Sequence, residues 1–193
     1  MTADPLAGMA VEVNAIFDAP IDEVWALLSD VERMGGLGPE HYAAAWDTTG
    51  PAIGAGFTGW NRNGAMEWFV HCVMTECRPP EFVEWTVGDV PMQSSTWSYE
   101  LTKDPGGSTV VVQRFHHGPG FSYVRQRVDQ KPERAQDVID GRSAMLRESM
   151  QATLTAAGLV LIAEVSARPD DCGHDRGFQE PFSGPGDRDI RRS

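Results

Sequence analysis

The sequence predicts an α+β domain: one antiparallel sheet covered by a single long C-terminal helix. Two observations carry this reading. From about residue 41 to residue 117, short stretches of alternating apolar and polar residues follow one another, separated by turns rich in Gly, Pro and Asn. The period then changes. Beyond Pro132, the residues Ile139, Leu146, Met150, Leu154 and Ala157 recur at three-, four- and seven-residue steps, with Val138 and Met145 beside them. That is one apolar stripe on a helix of roughly 26 residues, about 39 Å long. A sheet with one apolar face needs a cover, and a helix with one apolar stripe needs a partner.

Each element has its own local reason. Ala10–Phe17 alternates, with Val11, Val13, Ala15 and Phe17 on one face, as a half-buried strand does. Pro20 opens a helix with Asp22 and Glu23 in its first turn; Ile21, Val24, Trp25 and Leu28 are its buried stripe. The run GGLGP at 35–39 stops it. His41–Asp47 and Phe57–Arg62 read as strands, and Asn63-Gly64 as a hairpin turn. Ala65–Cys77 is a long strand with Trp68, Val70, Cys72 and Met74 on one face and Glu67, Phe69, His71, Val73 and Thr75 on the other. Val83, Trp85 and Val87 share a face of the next strand, and Trp97, Tyr99 and Leu101 of the one after. In the last strand, Val110 and Val112 alternate with Val111 and Gln113. Phe121, Val124 and Val128 suggest a short helix before the main one, which opens at Pro132, is interrupted by Gly141, and stops at Gly158. This gives one domain over residues 10–160, a loose leader at 1–9 and a flexible, disordered tail expected over 161–193, while residues 159–165 fit either an extension of the helix or a departure from it.

Composition excludes several function classes. A net charge of −12 argues against nucleic acid or an anionic membrane surface as partner. The longest apolar run, residues 158–163, is too short to span a bilayer. The N-terminal residues do not read as a signal peptide, and three sparse cysteines do not form a disulfide framework, so a cytoplasmic setting is expected. Cys72 and Cys77 fall on opposite faces of one strand and cannot pair with each other. No nucleotide fingerprint is present, and His41, His71, His174 and the cysteines lack ligand spacing, so neither a cofactor nor a metal is expected.

Three passages carry a family resemblance: VEVNAIFDAPIDEVWALLSDVERMG at 11–35, GPAIGAGFTGWNRNG at 50–64 and SMQATLTAAG at 149–158. With the strands between them they resemble the START/Bet v 1-like superfamily, in its polyketide cyclase/dehydrase-like (SRPBCC) branch. The resemblance implies a helix-grip fold, in which a curved sheet wraps the long helix around a cavity. It also implies apolar ligands: lipids, sterols, polyketides or aromatic compounds.

Trp68, Cys72, Trp85 and Trp97 from the strands, and Leu146 and Met150 from the helix, are the residues expected to bind such a ligand. The alternative is an ordinary packed core, which would leave the protein only an interaction surface. Arg114, His116 and Tyr99 are the candidates for acid–base work, with His116 as general base and Arg114 as oxyanion partner. The competing reading of Arg114 and His116 is a solvated strand end. Two functions therefore stand side by side: a binder of a small hydrophobic or aromatic ligand, and a polyketide cyclase, aromatase or dehydratase using the same cavity. The oligomeric state is open.

Overall fold

A computed structural model describes residues 4–167. Its strands are β1 (Ala10–Phe17), β2 (His41–Trp46), β3 (Gly56–Asn63), β4 (Met66–Arg78), β5 (Phe82–Val87), β6 (Ser95–Lys103) and β7 (Thr109–His117). The helices are α1 (Ile21–Leu28), α2 (Val31–Met34), α3 (Tyr123–Gln130) and α4 (Ala135–Ser166). All seven strands form one antiparallel sheet in the order β1-β7-β6-β5-β4-β3-β2. The meander from β2 to β7 runs across the sheet, and β1 closes it beside β7. α1 and α2 carry the chain from one edge to the other. This is the helix-grip arrangement: a curled sheet with a long helix over its concave face.

Local chemistry explains the boundaries. Pro20 caps α1, and the Asp30 carboxylate accepts from the backbone N–H groups of Glu32 and Arg33 to start α2. Ser122 caps α3 by accepting from the N–H of Arg125. The β3–β4 loop is Gly64-Ala65, closed by the pair Asn63–Met66, one residue beyond the turn expected at Asn63-Gly64. Gly64 takes φ of 60°, a conformation that suits glycine.

Three expectations are corrected. The leader is packed from Asp4 onward: Leu6 and Met9 are buried, and Asp4 accepts two bonds from the Arg125 guanidinium at 3.0–3.1 Å. Pro132 belongs to a 3₁₀ turn, Pro132–Arg134, that precedes α4. Gly158 does not stop α4, which continues to Ser166 and buries Leu161 below Leu154 and Ala157. The glycine has a packing role instead. A Cβ there would lie 3.2 Å from the Phe17 ring, so the missing side chain lets helix and β1 approach. The border expected at residue 160 thus falls inside the helix. The remainder of the expected tail, 168–193, lies outside the described residues.

By length and composition, Pro132–Ser166 passes as a membrane span, with a mean hydropathy of 1.3 in its most apolar stretch. Its buried residues Leu146, Met150, Leu154, Ala157 and Leu161 instead form the stripe that faces the sheet, so it is the core helix of a folded domain. Two ion pairs hold it in place. Arg33 of α2 pairs with Glu164, and Arg142 makes a two-point pair with Glu40 at 2.9 and 3.0 Å.

Leu154 is fully buried, whereas Leu159 is 65% exposed on the same helix. Leu154→Ala is expected to cost about 2–5 kcal/mol in urea unfolding, and Leu159→Ala no more than about 0.5 kcal/mol. Equal costs would contradict this seating of the helix.

Candidate functional site

Between α4 and the concave face lies a cavity of about 1090 Å³. Its walls follow from two periods. On α4, the lining residues Val138, Gly141, Arg142, Met145, Leu146, Ser149, Met150 and Thr153 recur at helical spacing. On the sheet, the inward positions of β6 and β7 pair directly: Leu101 with Val111, Tyr99 with Gln113, Trp97 with Phe115 and Ser95 with His117. β5 adds Trp85 and Val87, β4 adds Trp68, Val70, Cys72 and Met74, and β3 adds Phe57. The interior of this cavity excludes a filled core.

The wall is strongly aromatic. Trp97 lies edge-on to Phe115 with centroids 4.9 Å apart. Trp46, Phe57, Trp85 and Tyr99 form a chain of ring contacts with steps of 5.5, 6.1 and 5.7 Å. At the mouth, Met66, Phe121, Tyr123 and Met145 are about half exposed or more, and Phe121 meets Tyr123 at 5.9 Å. Arg127, Lys131, Arg134 and Asp137 lie around the same opening.

The six residues expected to bind ligand, Trp68, Cys72, Trp85, Trp97, Leu146 and Met150, all lie in this wall, as does Tyr99. Arg114 and His116 do not, which corrects their expected position at the cavity. They point to the outer face of β7 with Val110 and Val112, because Val111, Gln113 and Phe115 take the buried side. Arg114 donates to Glu12 at 2.7 Å and to Glu100 at 2.6 Å, an ion-pair ladder across β1, β7 and β6 that raises its pKa. His116 is solvent-exposed.

The histidines that reach the cavity are His41, whose Nδ1 is 3.4 Å from Asn61 Oδ1, and His117. On His117 the two ring nitrogens differ. Its Nε2 is 2.8 Å from the Ser122 hydroxyl, and its Nδ1 is sealed from solvent without a partner. Gln113 and Phe115 were also missed. The available signal was Phe115 itself, a bulky ring in phase with Val111 and Gln113 and out of phase with Arg114. Gln113 is 4% exposed, and its Oε1 is likewise sealed and unpartnered.

Burial governs the titrating groups. It pushes the Cys72 thiol up to about 12 and raises the Tyr99 phenol, so neither ionises near neutrality. Among the described residues, no group of three His, Cys, Asp or Glu is placed to hold a metal.

Burial also lowers the pKa of His41 and His117 below the usual 6.5. The unfolded chain then binds more protons than the folded one as the pH falls through 6.5. Stability from these two groups is intact above that value and lost below it. Asp4, held below 3.8 by its bonds from Arg125, loses its contribution only at lower pH. Melting temperature is expected to fall between pH 7.5 and pH 5, and to fall less when both histidines are replaced by Asn. A fall unchanged in the double variant would contradict the assignment.

Comparison with known proteins agrees with this geometry. Residues 9–152 match the family model described as polyketide cyclase/dehydrase and lipid transport. A polyketide-cyclase-like protein from Corynebacterium glutamicum, solved in solution, is 26% identical, with a TM-score of 0.60 over 81% of this chain and 93% of its own. A Mycobacterium smegmatis protein aligns with a TM-score of 0.56 at 16% identity, over 82% of this chain and 94% of its own. The di-domain ARO/CYC StfQ from the steffimycin biosynthetic pathway aligns with a TM-score of 0.64 at 11% identity, over 82% of this chain and 52% of its own. These last two share the fold. No curated protein matches the sequence. With the family model spanning most of its length, and the curled sheet, long helix and cavity in place, the chain belongs to the polyketide cyclase/dehydrase and lipid transport family.

Proposed function

We propose that the protein binds and carries a small hydrophobic, ring-containing molecule in the cavity between sheet and α4. The observation that carries this reading is the cavity itself: about 1090 Å³, walled by Trp68, Trp85, Trp97, Phe57 and Phe115, with a mouth edged by apolar side chains. Flat rings stack and slot against such a wall, and a volume of this order suits a drug-sized to lipid-sized guest. Met150 and Met145 adapt to guests of different shape through flexible thioethers. The family's association with polyketides and lipid transport supports the same class of ligand. The unpaired thiols of Cys72 and Cys77 suit a cytoplasmic carrier.

A second reading, a cyclase, aromatase or dehydratase, is favoured by one observation. The His117–Ser122 hydrogen bond lies in the cavity wall, where an imidazole and a hydroxyl can move a proton. His117 takes the acid–base role for which the sequence suggested His116.

Titration with 1-anilinonaphthalene-8-sulfonate and with a panel of lipids and aromatic polyketides, followed by tryptophan fluorescence, tests the carrier. Saturable binding is expected, and Met150→Trp is expected to weaken it about tenfold or more by filling the cavity in a protein that still melts cooperatively. Absence of binding across the panel would overturn the proposal. Turnover of a bound aromatic precursor, lost in His117→Ala but kept in His116→Ala, would replace the carrier with the enzyme.

A further inference from the structure

On the inner face of β6 and β7, one pair of residues breaks the apolar pattern. Tyr99 and Gln113 are direct neighbours in register, between the apolar pair Leu101–Val111 and the aromatic pair Trp97–Phe115. Both are almost wholly buried, at 2% and 4% exposure, and both line the cavity. Neither the Tyr99 hydroxyl nor the Gln113 amide has a hydrogen-bond partner among the described residues, and Gln113 Oε1 is sealed from solvent. Buried polar groups are almost always paired, because an unpaired one forfeits its hydration without compensation. Two such groups side by side therefore call for a partner that the protein does not itself supply.

We propose that Tyr99 and Gln113 form a hydrogen-bonding subsite for a neutral hydroxyl group on an otherwise apolar ring-containing ligand. This rests on the carrier reading of the cavity and specifies its ligand: an alcohol or phenol that enters hydroxyl first. The choice of group follows from donor and acceptor chemistry. No partner fixes which way the amide points, so it can present either its N–H or its carbonyl. A phenol hydroxyl likewise donates or accepts. A ligand hydroxyl, which does both at once, closes a cycle with the pair in either orientation. A carboxylate only accepts, and no cation lies in this rung or in the two inward rungs flanking it, Leu101–Val111 and Trp97–Phe115, to balance its charge. The same desolvation that raises the Tyr99 phenol would oppose it. The aromatic pair Trp97–Phe115 adjoins the subsite, so a ring bearing the hydroxyl lies against rings.

Calorimetric titration of the full chain with 2-naphthol, naphthalene and 2-naphthoate separates the parts of this proposal. 2-Naphthol is expected to bind about tenfold or more tightly than the other two. Gln113→Leu, of similar size, is expected to abolish the preference by weakening 2-naphthol relative to naphthalene. Tyr99→Phe is expected to reduce the preference and provides the same test should the Gln113 variant fail to fold. Equal affinity for 2-naphthol and naphthalene, tighter binding of 2-naphthoate, or a preference that survives in both variants would overturn the subsite while leaving the carrier standing. Binding of none of the three, nor of the fluorescent probe, would overturn the carrier and the subsite together.

Discussion

The close approach of α4 to β1, where Phe17 packs against the bare backbone of Gly158, is the constraint on which the cavity depends. From Leu154 onward, the buried residues Leu154, Ala157 and Leu161 continue the stripe with which the helix packs on the domain. Before Leu154 the same stripe no longer closes on the sheet. Every α4 residue that lines the cavity lies between Asp137 and Thr153. A straight helix pinned at one end against the edge of a curled sheet diverges from the sheet's centre, and the wedge between them is the cavity. Arg142 reaches Glu40 across the open end and fixes the width there.

The two faces of the central strands divide the labour. The outer face carries charge paired across strands, as in Glu12, Arg114 and Glu100 on three adjacent strands. Such exposed pairs contribute little stability each, but they keep the convex surface hydrated. The inner face carries rings, with polarity limited to a few positions. That contrast makes the inner polar groups informative: Gln113 and His117 line the cavity and hold buried atoms without a partner among the described residues. An unpaired group in a largely apolar wall is a constraint on what occupies the space beside it.

Much of the fold was legible in the residues. Periods of two and of 3.6, with Gly, Pro and Asn between them, located the strands, the meander and the long helix, because backbone geometry ties side-chain direction to those periods. They also placed Trp68, Trp85, Trp97, Leu146 and Met150 on faces that turn toward each other. β7 was harder. Both its alternating sets contain valines, so alternation separates Arg114 and His116 from Gln113 and His117 without saying which set is inside. Pairing with Tyr99 and Trp97 on β6 decides it. Gly158 posed the same kind of problem, since a glycine near a helix end reads as a stop until a ring from another strand is seen against it.

The sequence by itself therefore determined the elements, their order and the existence of one apolar face on the sheet and one stripe on the helix. These are consequences of local steric and hydrophobic periodicity. Only the tertiary structure decided which face of β7 is inner, that α4 runs past Gly158, that the leader packs through Leu6, and that the two apolar surfaces diverge to leave a cavity. Each of these depends on contacts between residues distant in the chain, such as Phe17 with Gly158 and Asp4 with Arg125, and no local period encodes the distance between two surfaces.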